Sequence, residues 1–115
     1  MTLTKEEFHI VVNEYSQIKL NDNYERNREY MYINDKYTLT LGWYDYKNSV
    51  VRIIGGFIIV DDNYGRLFIT TPTVPCLNMR KPENFSNKLK DLFKQKKQLE
   101  IELKIKNIEK DFPND

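Results

Sequence analysis

Between Val50 and Pro75 the chain reads VVRIIGGFIIVDDNYGRLFITTPTVP, two apolar runs around a short polar turn. Val50, Val51, Ile53, Ile54, Phe57, Ile58, Ile59 and Val60 are mostly β-branched or aromatic, with Arg52 the one charged interruption. That is the composition of a strand covered on both faces. Gly55 and Gly56 in its middle imply a bulge or the close approach of another backbone, and therefore a bend. Asp61 to Gly65 supplies a turn in which Asn63 and Gly65 are best suited to positive φ. Leu67, Phe68 and Ile69 return, and Pro72 stops the ladder because it has no N–H. The stretch reads as a β-hairpin in a packed sheet.

Upstream, Thr4-Lys5-Glu6-Glu7 has capping-box form, and Leu3 and Phe8 are spaced for a hydrophobic staple across it. Phe8, Val11, Val12, Tyr15 and Ile18 follow at helical spacing, which predicts a helix ending at Asn21-Asp22-Asn23. Tyr30 to Ile33 and Tyr37 to Tyr44 read as strands joined at Asn34-Asp35. Within the second, Tyr37, Leu39, Leu41 and Trp43 alternate with Thr38, Thr40 and Gly42, so the first set is expected to face the core. Asp45 to Asn48 then leads into the hairpin.

In the last third, Leu89, Leu92 and Phe93 have helical spacing after start signals at Pro82, Asn84 and Ser86. Beyond Gln98 two periods compete. Leu99, Ile101, Leu103 and Ile105 alternate with Glu100, Glu102 and Lys104 as in an exposed strand, while Ile101, Ile105, Ile108 and Phe112 form a helical stripe. The absence of any breaker between Ser86 and Pro113 favours helix. The expected architecture is α+β: an N-terminal helix, an antiparallel meander of about four strands, and a C-terminal helix or helix then strand. A length of 115 residues suits a single domain over residues 1–115, with 98–115 a possible extension. If helical, that extension would overhang the domain and pair with a second copy, making a homodimer.

Composition changes this picture in two respects. The chain has no alanine and is rich in Asn, Lys, Ile and Tyr, as expected of AT-rich coding in a low-GC bacterium, its phages or its mobile elements. Charge is also uneven: the formal total is +1, but residues 1–77 carry −2 and residues 78–110 carry +5. The basic segment is a candidate footprint for nucleic acid, with Arg80, Lys81, Lys88, Lys90, Lys94, Lys96 and Lys97 as phosphate-contacting residues. Tyr30, Tyr32, Tyr44, Tyr46 and Tyr64 would stack on unpaired bases if they shared an exposed sheet face with Arg52 and Arg66.

Catalytic chemistry is not expected. One histidine, His9, and one cysteine, Cys76, lie far apart in sequence, and neither has a sequence-local base or second ligand. His9 reads as a surface helix residue and Cys76 as a small buried or loop hydrophobe. Asp61-Asp62-Asn63 lacks the distal glutamate of a calcium loop, and no phosphate-binding glycine motif is present, so no metal and no cofactor are expected. With a lone cysteine, no signal peptide and no long apolar run, the sequence suggests a cytoplasmic protein without membrane contact.

The stretch FIIVDDNYGRLFITTPTV, followed by KPENFSNKLKDLF, resembles the SpoVG septation-regulator family over about residues 37 to 95. Gly65, Leu67, Phe68 and Pro72 occupy its turn and strand-exit positions. Lys81, Pro82, Asn84 and Lys88 resemble the segment leading into the family's basic helix. Members are small dimeric α+β proteins that bind DNA and RNA, so the resemblance implies a non-enzymatic nucleic-acid-binding regulator. The alternative from size, tyrosine content and coding bias is a phage or mobile-element protein that binds and inhibits a host protein, such as an anti-defence inhibitor.

Overall fold

The structure, a computed structural model, describes residues 2–34 and 38–111. The first helix, α1 (Lys5–Val12), begins as its sequence dictates: the Thr4 side chain accepts from the Glu7 N–H at 3.1 Å and the Glu7 carboxylate accepts from the Thr4 N–H at 3.0 Å. Leu3 and Phe8 are both fully buried. The helix is shorter than expected, because Asn13 caps it and the chain turns at Glu14 to Gln17 into strand β1 (Ile18–Asn23). Ile18 therefore enters the core from a strand, and the two periods had merged in sequence because they share that residue.

Strands β2 (Arg28–Asn34), β3 (Thr38–Asp45) and β4 (Val50–Ile53) continue the antiparallel meander, and β7 (Leu77–Met79) joins its far edge. The sheet order is β1-β2-β3-β4-β7. Of the expected Asn34-Asp35 turn, Asn34 is the last residue of β2 and pairs with Thr38, while Asp35 and Tyr37 lie outside the described residues.

The long apolar run divides rather than forming one strand covered on both sides. It breaks at Ile54–Phe57 across Gly55 and Gly56, and its second part, β5 (Ile58–Asp61), pairs with β6 (Leu67–Thr70) in a separate two-stranded sheet. Ile58 and Ile59 are exposed there. The hairpin turn has the expected conformation, with φ of 73° at Asn63 and 85° at Gly65. The Asp61 and Asp62 carboxylates are occupied in pinning it: Asp61 accepts from Asn63 N and Gly65 N, and Asp62 from Tyr64 N and Arg66 N.

Residues Pro82–Asp111 form one continuous helix, α2, which settles the ambiguity after Gln98. Phe85, Leu89, Leu92 and Leu103 are its buried stripe. Phe85 stacks on Phe8, and Phe8 on Tyr44, so both helices cover the same face of the sheet. Polar side chains of α2 complete the backbone bonds of the divided run. Lys88 Nζ donates to Gly55 O at 2.6 Å, Gln95 Oε1 accepts from Phe57 N at 3.0 Å, and the Asn107 amide both accepts from Leu67 N and donates to Leu67 O at 3.1 Å. The hairpin thus lies along the C-terminal half of α2. The molecule measures 59 × 27 × 22 Å.

A side-chain hydrogen bond ties α1 to the sheet. His9 Nε2 donates to Glu29 Oε1 at 2.5 Å, so His9 is not the unpartnered surface residue expected from sequence. Glu29, only 8% exposed, is the buried charged residue among those described. Removing His9 leaves the buried Glu29 side chain without this partner. His9→Ala is therefore expected to cost about 2 kcal/mol, and Glu29→Gln, which keeps an acceptor, distinctly less. Urea unfolding of both variants checks the order.

Candidate nucleic-acid interface

The basic residues anticipated from sequence do not converge. Arg80 and Lys81 are exposed at the entry to α2. Lys88 is committed to the Gly55 carbonyl, and Lys96 forms an ion pair with Glu100 one turn on. Lys90, Lys94 and Lys97 are exposed on the side of α2 opposite its buried stripe. No aromatic residue stands in that outward row, which offers charge alone.

A second basic surface occupies the opposite side of the molecule, on the sheet face that the helices leave uncovered. Strand alternation places Lys19 and Asn21 of β1, Arg28, Tyr30 and Tyr32 of β2, Thr40 and Trp43 of β3, and Arg52 of β4 on that face. Register aligns Asn21, Tyr30, Trp43, Arg52 and Asn78 in one row across all five strands. Trp43 lies outward because the β2–β3 register shifts between Met31 and Tyr32, opposite Gly42. Past that irregularity the inward position passes to Tyr44, which is buried with its hydroxyl donating to Leu3 O at 2.8 Å. The expectation that Trp43 faces the core is thereby corrected. A glycine interrupting an alternating strand is the sequence signal that marks such a bulge.

Around Trp43 the side chains are organised rather than splayed. The Arg28 guanidinium lies 4.0 Å from the indole centroid and donates to the Tyr30 hydroxyl at 3.3 Å. Tyr30 meets the indole edge-on, with ring centroids 5.6 Å apart. Arg52 Nε is 3.8 Å from Asp45 Oδ2. Burial works to raise the Asp45 pKa, but hydrogen bonds from the Asn48 side chain and from the Asn48 and Lys47 N–H groups, together with Arg52, hold it below its ordinary value. Asp45 therefore stays ionised, and still leaves an excess of cations on this face.

These residues, with Arg26 and the segment Thr71–Pro75 as one wall, border an open groove of about 800 Å³. The Trp43 Nε1 is buried and, among the described residues, has no hydrogen-bond acceptor. Such an orphan donor costs about 1–3 kcal/mol.

The tyrosines considered from sequence separate accordingly. Tyr30 and Tyr32 share the face with Arg52. Tyr44 is in the core, Tyr46 donates to Asp22 Oδ1 at 2.9 Å, and Tyr64 is exposed at the tip of the β5–β6 turn. Burial first, and then the bond to the Asp22 carboxylate, push the Tyr46 pKa upward, so it remains a donor. Cys76 is an exposed free thiol in the loop before β7. Among the described residues no group of three or more His, Cys, Asp or Glu is placed to hold a metal ion, and no helix is long and apolar enough to cross a membrane.

No protein-family model, no curated protein and no solved structure matches the chain.

Proposed function

We propose that this chain is a non-enzymatic, single-stranded nucleic-acid-binding protein with a regulatory role, and that its contact surface is the outer sheet face around Trp43. The observation that carries the reading is the joint placement of Arg26, Arg28 and Arg52 with Tyr30 and Trp43 along an open groove. Aromatic rings and guanidinium planes on an exposed sheet are suited to stacking unpaired bases, while flanking cations neutralise phosphates. Neighbouring strands lie about 4.8 Å apart, so the row from Tyr30 to Arg52 spans about 10 Å, room for two or three nucleotides. The outward lysines of α2 add general attraction for phosphate and contact a different part of a long strand.

Salt dependence is the first test. Neutralising three or four phosphates of a single strand gives a slope of about −2 to −3 in log K against log[salt]. An anisotropy titration with labelled single-stranded DNA and RNA twelve-mers is expected to show that slope, with weaker binding of the matching duplexes. A flat salt response, or the absence of saturable binding to every nucleic acid, rejects the reading and returns attention to the host-protein inhibitor.

A further inference from the structure

Ile101, Ile105 and Ile108 are 55%, 53% and 49% exposed, three large aliphatic side chains in succession on one face of α2. Their spacing of four and then three residues is that of the core positions of a coiled coil, with Ile105 at a and Ile101 and Ile108 at d. The rest of the helix circumference is accounted for: Leu103 packs into the core, Leu99 packs against it, and Asn107 holds the β5–β6 hairpin on the opposite side. Among the described residues this seam has no partner within the chain.

Charge specifies what covers it. In the same register Lys97 and Lys104 occupy g positions along one flank of the seam, and Glu102 occupies the e position along the other; all three are exposed. A second copy running parallel brings Lys97 of one chain against Glu102 of the other, twice by symmetry. A second copy running antiparallel sets the lysine flank against itself. We infer that two copies of this chain pair in parallel through the Ile101–Ile105–Ile108 seam of α2, the twofold axis lying along the helices.

Lys90 and Lys94 extend the same face toward the N-terminus and repel their counterparts, so contact is confined to the region from Lys97 onward. An interface of about two heptads falls below the roughly 800 Å² per partner of a standard stable complex, and the pair is therefore expected to be concentration-dependent. The seam and the Trp43 groove lie on opposite sides of the protomer. Pairing leaves both grooves open, facing away from each other, and does not depend on what they bind.

Sedimentation of the full-length Cys76→Ser chain between about 5 and about 500 µM is expected to show a shift from the one-chain to the two-chain mass. Ile105→Lys is expected to remain one chain throughout with the same thermal midpoint at low concentration, since the residue is exposed. Orientation is read by adding single cysteines to the Cys76→Ser background. Ile101→Cys and Ile108→Cys are each expected to form a disulfide-linked pair alone under mild oxidation. A one-chain mass at every concentration, a three-chain mass, association that survives Ile105→Lys, or linkage only when the two cysteine variants are mixed would overturn the inference.

Discussion

Replacing Gly42 with alanine is expected to destabilise the protein by about 3 kcal/mol or more. Gly42 has φ of 152°, and a Cβ built on it falls 1.9 Å from Arg52 O and 2.9 Å from both Arg52 C and Ile53 Cα. All three atoms are backbone of the neighbouring strand, so no side-chain rotation relieves the clash. β4 has to move away from β3, which breaks the Gly42–Ile53 pairing at the centre of the sheet. For a domain of this size the loss corresponds to a fall in Tm on the order of 15 °C. Gly65→Ala is the internal comparison. It also has positive φ, 85°, but nothing lies within 4 Å of the added carbon, so only the cost of a left-handed residue, about 1 kcal/mol, applies. A Gly42→Ala variant as stable as Gly65→Ala would show that the β2–β3 irregularity is not held by close backbone approach.

The same glycine decides how much of the site could be read in advance. Leu39 and Leu41 alternate inward as their spacing demands, but the register shift opposite Gly42 moves the next inward position from Trp43 to Tyr44. Strict alternation therefore hid the central residue of the groove in the core. The capping box, the Asn63–Gly65 turn and the α+β class were legible, because each is set by local chemistry; at Gly55–Gly56 the glycines announce a bend within one strand, whereas the run divides there into two sheets. Strand β1 was not, because Ile18 fits both the helical stripe of α1 and the alternation of Ile18 and Leu20. Strand β7 was not, because three residues carry no period and their pairing with Val51–Ile53 is long-range. Charge clustering pointed to α2, where one-dimensional density is greatest. The arginines of the outer sheet face are scattered along the sequence and gather only through register.

Arg28→Ala/Arg52→Ala is expected to weaken single-strand binding about 100-fold. Base stacking and phosphate contacts at such sites are each worth about 1–3 kcal/mol, and a loss near 3 kcal/mol is about two decades of affinity. Both side chains are on the surface side of the sheet. Removing them leaves the Phe8–Tyr44–Phe85 core untouched, so the variant is expected to stay folded and to retain its thermal midpoint within a few degrees. Lys90→Ala/Lys94→Ala/Lys97→Ala removes more charge but from the other side of the molecule, and is expected to change affinity for a short strand only a few-fold. The reverse pattern, a large loss in the lysine variant and little in the arginine variant, would transfer the site to α2.

Trp43 is the single tryptophan of the chain, so its fluorescence reports from the centre of the proposed groove without labelling. Titration with an unlabelled single-stranded twelve-mer is the most direct measurement. Stacking of a base on or beside the indole is expected to quench the emission saturably, with the midpoint found by anisotropy and with loss of the effect in the Arg28→Ala/Arg52→Ala variant. Binding seen by anisotropy with no change in Trp43 emission would contradict the account and place the nucleic acid elsewhere on the protein.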